Sequence, residues 1–394
     1  MPVERQPEAM NKSGETSASE GSELDEEPAD GRAPSLRQLY DTHDGKVSDK
    51  WPAYLAEYDR IFAQHRDRPV RILEIGVQNG GSLEILARYF PQAAMIVGCD
   101  IDPTCGTLRF DDDRIAVVVG DVNDDETERR IVGLAEQFDI VIDDGSHRSA
   151  DIIRAFARYF PYVAQTGMYI VEDLHCSYWR DYEGGLYDPL SSLSFFKRLV
   201  DVINNEHWGL DLPGSQALAV FAEAHNVTFD DAQLASIHAV RFLNSLCIVA
   251  KRPTQENRLG ARLVEGSVSA VAANMTPLKG TTSKAADQTG NPWSLGSIAG
   301  DEEIQTGREL RQKARIDALA RDLVEAHSAK ATEVEALRAE LSAAWATRAG
   351  LEGKLAGREM EIRGLKDSTS WRMTAPLRVL SRCARRLLGN IRRP

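Results

Sequence analysis

The chain has 394 residues, 42% of them hydrophobic and 27% charged, and a formal net charge of −13. That length allows one domain of about 200–250 residues with extensions, or two smaller domains, and the acidity argues against a general nucleic-acid binder. Five scattered cysteines (Cys99, Cys105, Cys176, Cys247, Cys383) without a Cys-x-x-Cys pair exclude a cysteine-built zinc site and a disulfide framework. No signal-peptide core follows Met1 and no apolar run approaches the ~18 residues of a membrane span, so the expected location is cytoplasmic.

Residues 1–34 are rich in Glu, Asp, Ser and Gly and read as a disordered acidic arm. From Ser35 to Gln64 apolar residues recur at helical spacing (Leu36, Leu39, Tyr40, then Trp51, Tyr54, Leu55, Tyr58, Ile61, Phe62), with a break expected across Asp41 to Asp49. This segment reads as a helical cap packed on a sheet edge.

A strand–helix alternation then begins. Arg71 to Val77 is a strand running into a Gly-rich turn at Asn79-Gly80-Gly81-Ser82, and a helix continues to Tyr89. Met95 to Asp100 is the second strand and Ile115 to Asp121 the third. A helix from Glu126 to Gln137 leads to a fourth strand ending at Asp143. After helical Ile152 to Tyr159, a fifth ends at Glu172. Helical spacing returns from Leu193 to Asn205, and Ile237 to Leu243 with Leu246 to Ala250 reads as a hairpin turning at Asn244-Ser245. The pattern implies a doubly wound α/β sheet over 35–253. Residues 254–300 read as a linker.

Across 301–366 a seven-residue repeat places Val334, Leu341, Leu355 and Ile362 on one seam position and Ile316, Leu323, Leu337, Leu351 and Leu365 on the other. That is the pattern of a coiled coil, and it implies a homo-oligomer; a solvated single helix is the alternative. The end, 367–394, mixes Leu377, Val379, Leu380, Leu387, Leu388 and Ile391 with seven Arg. Such a stretch suits peripheral contact with an anionic membrane face, or docking on an acidic partner.

Chemistry concentrates at the strand ends. In open α/β sheets ligands sit outside the carboxyl ends of the strands, and neighbouring strands lie about 4.8 Å apart. Asp144, Glu172 and Asp173 therefore converge if the fourth and fifth strands are neighbours. Three carboxylates on one spot repel unless a positive charge sits between them, and an all-oxygen donor set suits Mg²⁺. His147, three residues past Asp144, is placed to act as general base if a helix begins there. Taken singly, Asp144-Gly145 would pass for a tight turn and Asp173 for a helix cap; together they read as a site. His175 stays open between supporting the acids, touching substrate and facing solvent. Tyr178 and Trp179 fit a sugar-stacking wall or the core.

The turn after the first strand fails the dinucleotide fingerprint, since Gly76 and Gly80 stand four apart. Glu74 just before it would repel a pyrophosphate and attract a sulfonium or ammonium, which favours S-adenosylmethionine. Asp100 can bind two ribose hydroxyls, Asp121 falls near an adenine amino group, and Asp143 ends the fourth strand. The cofactor-contacting set is thus Glu74, Gly76, Gly80, Asp100, Asp121 and Asp143.

The stretches LEIGVQNGGSL, GCDIDP, IDDGSH and VEDLHCSYW resemble the class I S-adenosylmethionine-dependent methyltransferases of the cephalosporin hydroxylase and macrolide sugar O-methyltransferase group. The resemblance covers about Leu36 to Lys251. It implies a Rossmann-like seven-stranded sheet, magnesium on Asp144, Glu172 and Asp173, and His147 as base. The tryptophan usual after the glycine turn is absent from SLEILARYF, so the resemblance does not fix the substrate's shape. STSWRMTAPLRVLSR resembles a tail found on bacterial surface-polysaccharide enzymes. The expected protein is an O-methyltransferase of a sugar hydroxyl, on a surface glycan, a glycolipid or a glycosylated small molecule. The alternatives are a methyltransferase of catechol-like phenols and a non-catalytic scaffold.

Overall fold

Seven strands, β1 (Arg71–Ile75), β2 (Met95–Asp100), β3 (Ile115–Val119), β4 (Phe138–Asp143), β5 (Val163–Val171), β6 (Ile237–Leu243) and β7 (Leu246–Lys251), carry the computed structural model. It describes residues 33–288, 291, 294 and 301–389. The strands form one sheet in the order β3-β2-β1-β4-β5-β7-β6. β1 to β5 pair in parallel, and β7 returns antiparallel between β5 and β6. This is the seven-stranded doubly wound sheet expected from the sequence. The acidic arm expected at 1–34 lies outside the described residues, apart from Ala33 and Pro34.

Side chains alternate between the two faces of the sheet, as the two-residue period of a strand requires. Ile72, Ile140, Ile142 and Ile170 face one apolar layer. Leu73, Val141, Tyr169 and Val171 face the other. The first layer is closed by α1 (Leu36–Asp41), α2 (Pro52–Phe62) and α3 (Gly81–Tyr89) through Leu36, Tyr54, Tyr58, Phe62 and Leu83. The second is closed by α4 (Asp125–Leu134), α5 (Ser149–Tyr159) and α6 (Ser192–Ile203) through Ile131, Phe156 and Phe195.

Several ends differ from expectation. β1 stops at Ile75 because Gly76 adopts φ 92° and turns the chain. β3 stops at Val119, and β5 begins at Val163, well before its most apolar run. Two short helices, α7 (Ala219–His225) and α8 (Asp231–Leu234), fill a stretch without clear periodicity. The break between α1 and α2 is real. Pro52 starts α2 at its first position, where its missing N–H costs nothing.

In the expected linker, Ala261 bridges Thr282 and the Leu259 amide donates to Glu206 at 2.9 Å. Among the described residues the tail is one helix, Asp301–Asp367, followed by Thr369–Met373 and Ala375–Gly389. Its seam residues, Leu323, Leu337, Leu341, Leu351 and Leu355 among them, are exposed in the single chain. Arg338–Glu335, Arg348–Glu352 and Arg358–Glu361 pair along its surface. Of the apolar residues expected in the basic end, Leu377, Val379 and Leu380 are exposed; the side chains of Leu387, Leu388 and Ile391 lie outside the described residues. Among the described residues no helix is long and apolar enough to cross a membrane.

Candidate active site

The topology brings the acidic strand ends together. β1, β4 and β5 are consecutive in the sheet, and the ladder continues past their ends: Asp144 N donates to Ile75 O and Glu172 N to Asp143 O, both at 2.9 Å. Gly76 makes this closure possible. A Cβ there would lie 2.1 Å from the Asp144 carbonyl oxygen, so only glycine fits.

Inside this arrangement the sequence hid a lysine. Lys50, from the segment between α1 and α2, places its ammonium 2.9 Å from Glu172 Oε1 and 3.7 Å from Glu74 Oε1, and bonds Asp144 Oδ2. The positive charge demanded by the converging acids is here supplied by the chain itself. Tyr58 donates to Glu172 Oε1 at 2.6 Å and Ser82 to Glu74 Oε2 at 2.7 Å. Burial alone would lower the Lys50 pKa, but Glu172, Asp144 and Glu74 outweigh it and hold the ammonium well above its ordinary value. Burial pushes the carboxyls of Glu172 and Glu74 up, and Lys50 opposes that rise.

Beside this buried cluster lies a more open one. Among the described residues, Asp144, His147 and Asp173 can each offer a ligand atom within 4.8 Å of the others. His147 Nε2 stands 3.9 Å from Asp144 Oδ1 and 4.0 Å from Asp173 Oδ2. Asp144 thus belongs to both clusters, with one oxygen toward Lys50 and the other toward His147.

His147 arrives by a route other than the expected helical turn. It sits in a loop at φ 56°, with α5 starting only at Ser149. Asp173 is also left-handed, at φ 51°. Two non-glycine residues held in this region beside one another mark a site whose surroundings over-determine it. Asp173 does not cap the short helix that follows; its Oδ1 accepts from Trp51 Nε1 at 3.0 Å and Tyr54 Oη at 2.8 Å. Two carboxylate oxygens and an imidazole nitrogen at this spacing, only partly buried, fit a divalent cation with positions left for other ligands. Of the acids expected to bind metal, Asp144 and Asp173 lie in this trio and Glu172 faces Lys50 and Tyr58.

A cavity of about 360 Å³ runs from this trio along the ends of β1, β2 and β3, within the usual size range of ligand sites. Gly76, Asp100, Asp121, Asp143, Asp144, His147 and Asp173 all line it. Asp100 Oδ2 accepts from the Val77 and Gln78 amides at 2.8 and 2.9 Å, and Oδ1 from the Asp102 amide at 2.9 Å. Asp121 Oδ1 accepts from the Asn123 amide at 2.9 Å. Asp143 accepts from Tyr169 at 3.0 Å, and burial raises its pKa to about 7.

Two expected cofactor contacts do not line the cavity. Glu74 is buried against Ser82 and Lys50. Gly80 caps α3 at φ 84°, where a Cβ would press on Phe110. Asn123, which carries no sequence signal, also lines the cavity, and its Oδ1 is buried without a hydrogen-bond partner in the chain. Asp100 and Asp121 bring two carboxylates to the same part of the cavity, groups suited to ribose hydroxyls and an amino group. The residues present therefore fit a nucleoside cofactor.

From Trp51, which bonds Asp173, to His147 rings follow one another beside the trio. Trp51 lies 6.4 Å from His175, His175 4.9 Å from Trp179, Trp179 6.0 Å from Tyr182, and Tyr182 6.3 Å from His147. Trp51 and Trp179 remain about half exposed, at 56% and 51%. His175 is held to Ser245 through Nδ1.

The chain is 39% identical over 191 residues to the 8-demethyl-8-alpha-L-rhamnosyl tetracenomycin-C 2'-O-methyltransferase of Streptomyces olivaceus, covering 46% of this chain and 49% of that protein. It is also 39% identical over 164 residues to the mycinamicin VI 2''-O-methyltransferase of Micromonospora griseorubida, covering 39% and 40%. Over the matched part, the chain is similar to O-methyltransferases of this kind. It spans about half the length of the curated relatives it matches. No family model matches it. Among solved structures, the methyltransferase MycE from the mycinamycin biosynthetic pathway, in complex with Mg, SAH and mycinamycin VI, is similar over 57% of this chain and 56% of its own. The sequence identity there is 29% and the TM-score 0.46.

Proposed function

We propose that this chain transfers the methyl group of S-adenosylmethionine to a hydroxyl of a glycoside, assisted by a divalent metal ion. The observation that carries the reading is a single cavity lined both by Asp100 and Asn123 and by Asp144, His147 and Asp173. Asp100 offers its remaining lone pairs to ribose hydroxyls, and Asp121 its carboxylate to an amino group. Asp144 and Asp173 would hold the metal, which when bound lowers the pKa of a coordinated hydroxyl. His147 Nε2 stands close enough to both acids to take the proton from a hydroxyl bound there. Tyr54 and Trp51 fix Asp173, and Lys50 fixes Asp144. The half-exposed tryptophans suit the apolar faces of a sugar or its aglycone. The names of the relatives, which act on glycosylated natural products, support the same substrate class.

A narrower substrate, a membrane-associated glycan or glycolipid, is favoured by the helix Ala375–Gly389, whose Leu377, Val379 and Leu380 are exposed among arginines. In that reading the exposed seams of the long helix assemble the chain into oligomers. Linked copies then bind an anionic surface more tightly than one helix does.

The test is S-adenosylhomocysteine formation with rhamnosyl glycosides, lipid-linked glycans and catechols as separate acceptors. Turnover of the glycosides with inert catechols is expected; the reverse would move the chain to phenol methylation. Loss of anionic-liposome binding in a version ending at Asp367 checks the narrower reading.

A further inference from the structure

Lys50 occupies a position that a metal ion would also seek. Its ammonium binds Asp144 Oδ2 and Glu172 Oε1, with Glu74 a little farther off, and its side chain is only 6% exposed. Asp144 is at the same time one corner of the trio with His147 and Asp173. A doubly charged ion on Asp144 would stand a few ångströms from this ammonium, in a place where little water screens the repulsion. A hard divalent ion such as Mg²⁺ also prefers a third carboxylate to an imidazole, and the carboxylate next in line is Glu172, held by Lys50. Lys50 is not fixed by a strand or a helix. It lies in the irregular segment between α1 and α2, anchored through His43 Nε2 to Lys46 O at 2.8 Å and through Lys46 N to Glu84 at 2.9 Å.

We infer that Lys50 and a divalent cation compete for Asp144 and Glu172. Without metal, the ammonium holds both carboxylates in place and balances their charge. A bound divalent ion would take the place of the ammonium, with Asp144, Glu172 and Asp173 as the acids that would hold it and His147 left to accept a proton. Lys50 is thus a positioning residue that pre-forms the acid cluster. Its release loosens the segment that carries it, and that segment lines the cofactor cavity through Val47, Ser48 and Asp49. This inference rests on the metal-dependent reading above.

The experiment is Mn²⁺ titration of the full chain, followed by electron paramagnetic resonance, for wild type, Lys50→Met and Lys50→Arg. Hydrogen exchange of residues 43–50 is measured on wild type with and without Mn²⁺. We expect Lys50→Met to bind Mn²⁺ at least about tenfold more tightly than wild type, one tenfold step being about 1.4 kcal/mol. Lys50→Arg should bind it no more tightly than wild type, and Mn²⁺ should speed exchange in 43–50. Equal or weaker Mn²⁺ binding by Lys50→Met overturns the competition. If that variant is unfolded without metal, the wild-type exchange decides, and unchanged protection of 43–50 overturns it as well. If wild type and Lys50→Met both fail to bind Mn²⁺, the metal-dependent reading itself is wrong and the competition falls with it.

Discussion

The two halves of the cavity satisfy their acids in opposite ways. At the ends of β2 and β3, Asp100 and Asp121 take their hydrogen bonds from backbone amides of adjacent turns: Val77, Gln78, Asp102 and Asn123. At the ends of β1, β4 and β5, Glu74, Asp144, Glu172 and Asp173 are served largely by side chains from a distant part of the chain: Lys50, Trp51, Tyr54 and Tyr58. The first half is a set of turns that each strand carries with it. The second exists only once the α1–α2 segment has docked on the sheet. Changes at Lys50, Trp51, Tyr54 and Tyr58 should therefore alter metal binding and chemistry, while the hydrogen bonds of Asp100 and Asp121 do not depend on those four residues.

The largest effect that would separate the halves is at Asp144, which both buried and open clusters share. Asp144→Ala should lower turnover by at least about 10³-fold, since a metal ion contributes several kcal/mol to the transition state. Its S-adenosylmethionine affinity, read by calorimetry, should stay near wild type. Next comes His147→Ala, with an expected loss of about 10²–10⁴-fold in rate at neutral pH. Full activity there would assign the base elsewhere. In the opposite half, Asp100→Ala should weaken S-adenosylmethionine binding by about 10–100-fold, the cost of one or two hydrogen bonds to a charged group, and leave Mn²⁺ affinity unchanged.

The smallest effect contrasts two buried lysines. Lys251 Nζ donates to the Phe160 and Pro161 carbonyls and to Gln233, at 3.1, 3.3 and 2.8 Å, rather than to acids. Burial lowers its pKa to about 8, whereas Lys50 among carboxylates is raised. An unfolded lysine titrates near about 10.4. Below pH 8 the folded protein therefore carries the cost of a buried charge. From about pH 8 to 10 the unfolded chain binds a proton that the folded one has released, so stability at this site rises with pH. The melting temperature of wild type relative to Lys251→Met should climb across that window by a few degrees, about 2–4 °C per kcal/mol. A flat difference would mean that this lysine is not strained by burial.

The same contrast explains what could be read from the chain. The strands, their order of appearance and the acids at their ends were legible because β-branched runs, glycine turns and strand-end acids are local patterns. Asp144, Glu172 and Asp173 were legible as a group because the sheet brings consecutive strand ends together, whereas His147 was expected from a helical turn and comes from a loop. Lys50 was not. One lysine before a Trp-Pro helix start carries no spacing signal, and its meaning depends on how the cap docks. Tyr54 and Tyr58 offered a faint clue. They stand four apart on a helical face that the sequence assigned to the core, and a buried tyrosine hydroxyl needs a partner; here the partners are Asp173 and Glu172. Asn123 was equally hidden, since only the packed cavity shows its Oδ1 to be orphaned.

Whether the acidic strand ends form a metal-dependent methyl-transfer site is most directly tested by the metal requirement of a single turnover. The protein is stripped with EDTA and desalted, then mixed with S-adenosylmethionine and a rhamnosyl glycoside. S-Adenosylhomocysteine is measured as Mg²⁺ is added back, for wild type and for Asp144→Ala. We expect no product from stripped wild type, full recovery with Mg²⁺, and no recovery in Asp144→Ala. Turnover that persists undiminished in rigorously metal-free wild type would contradict the metal role of these acids.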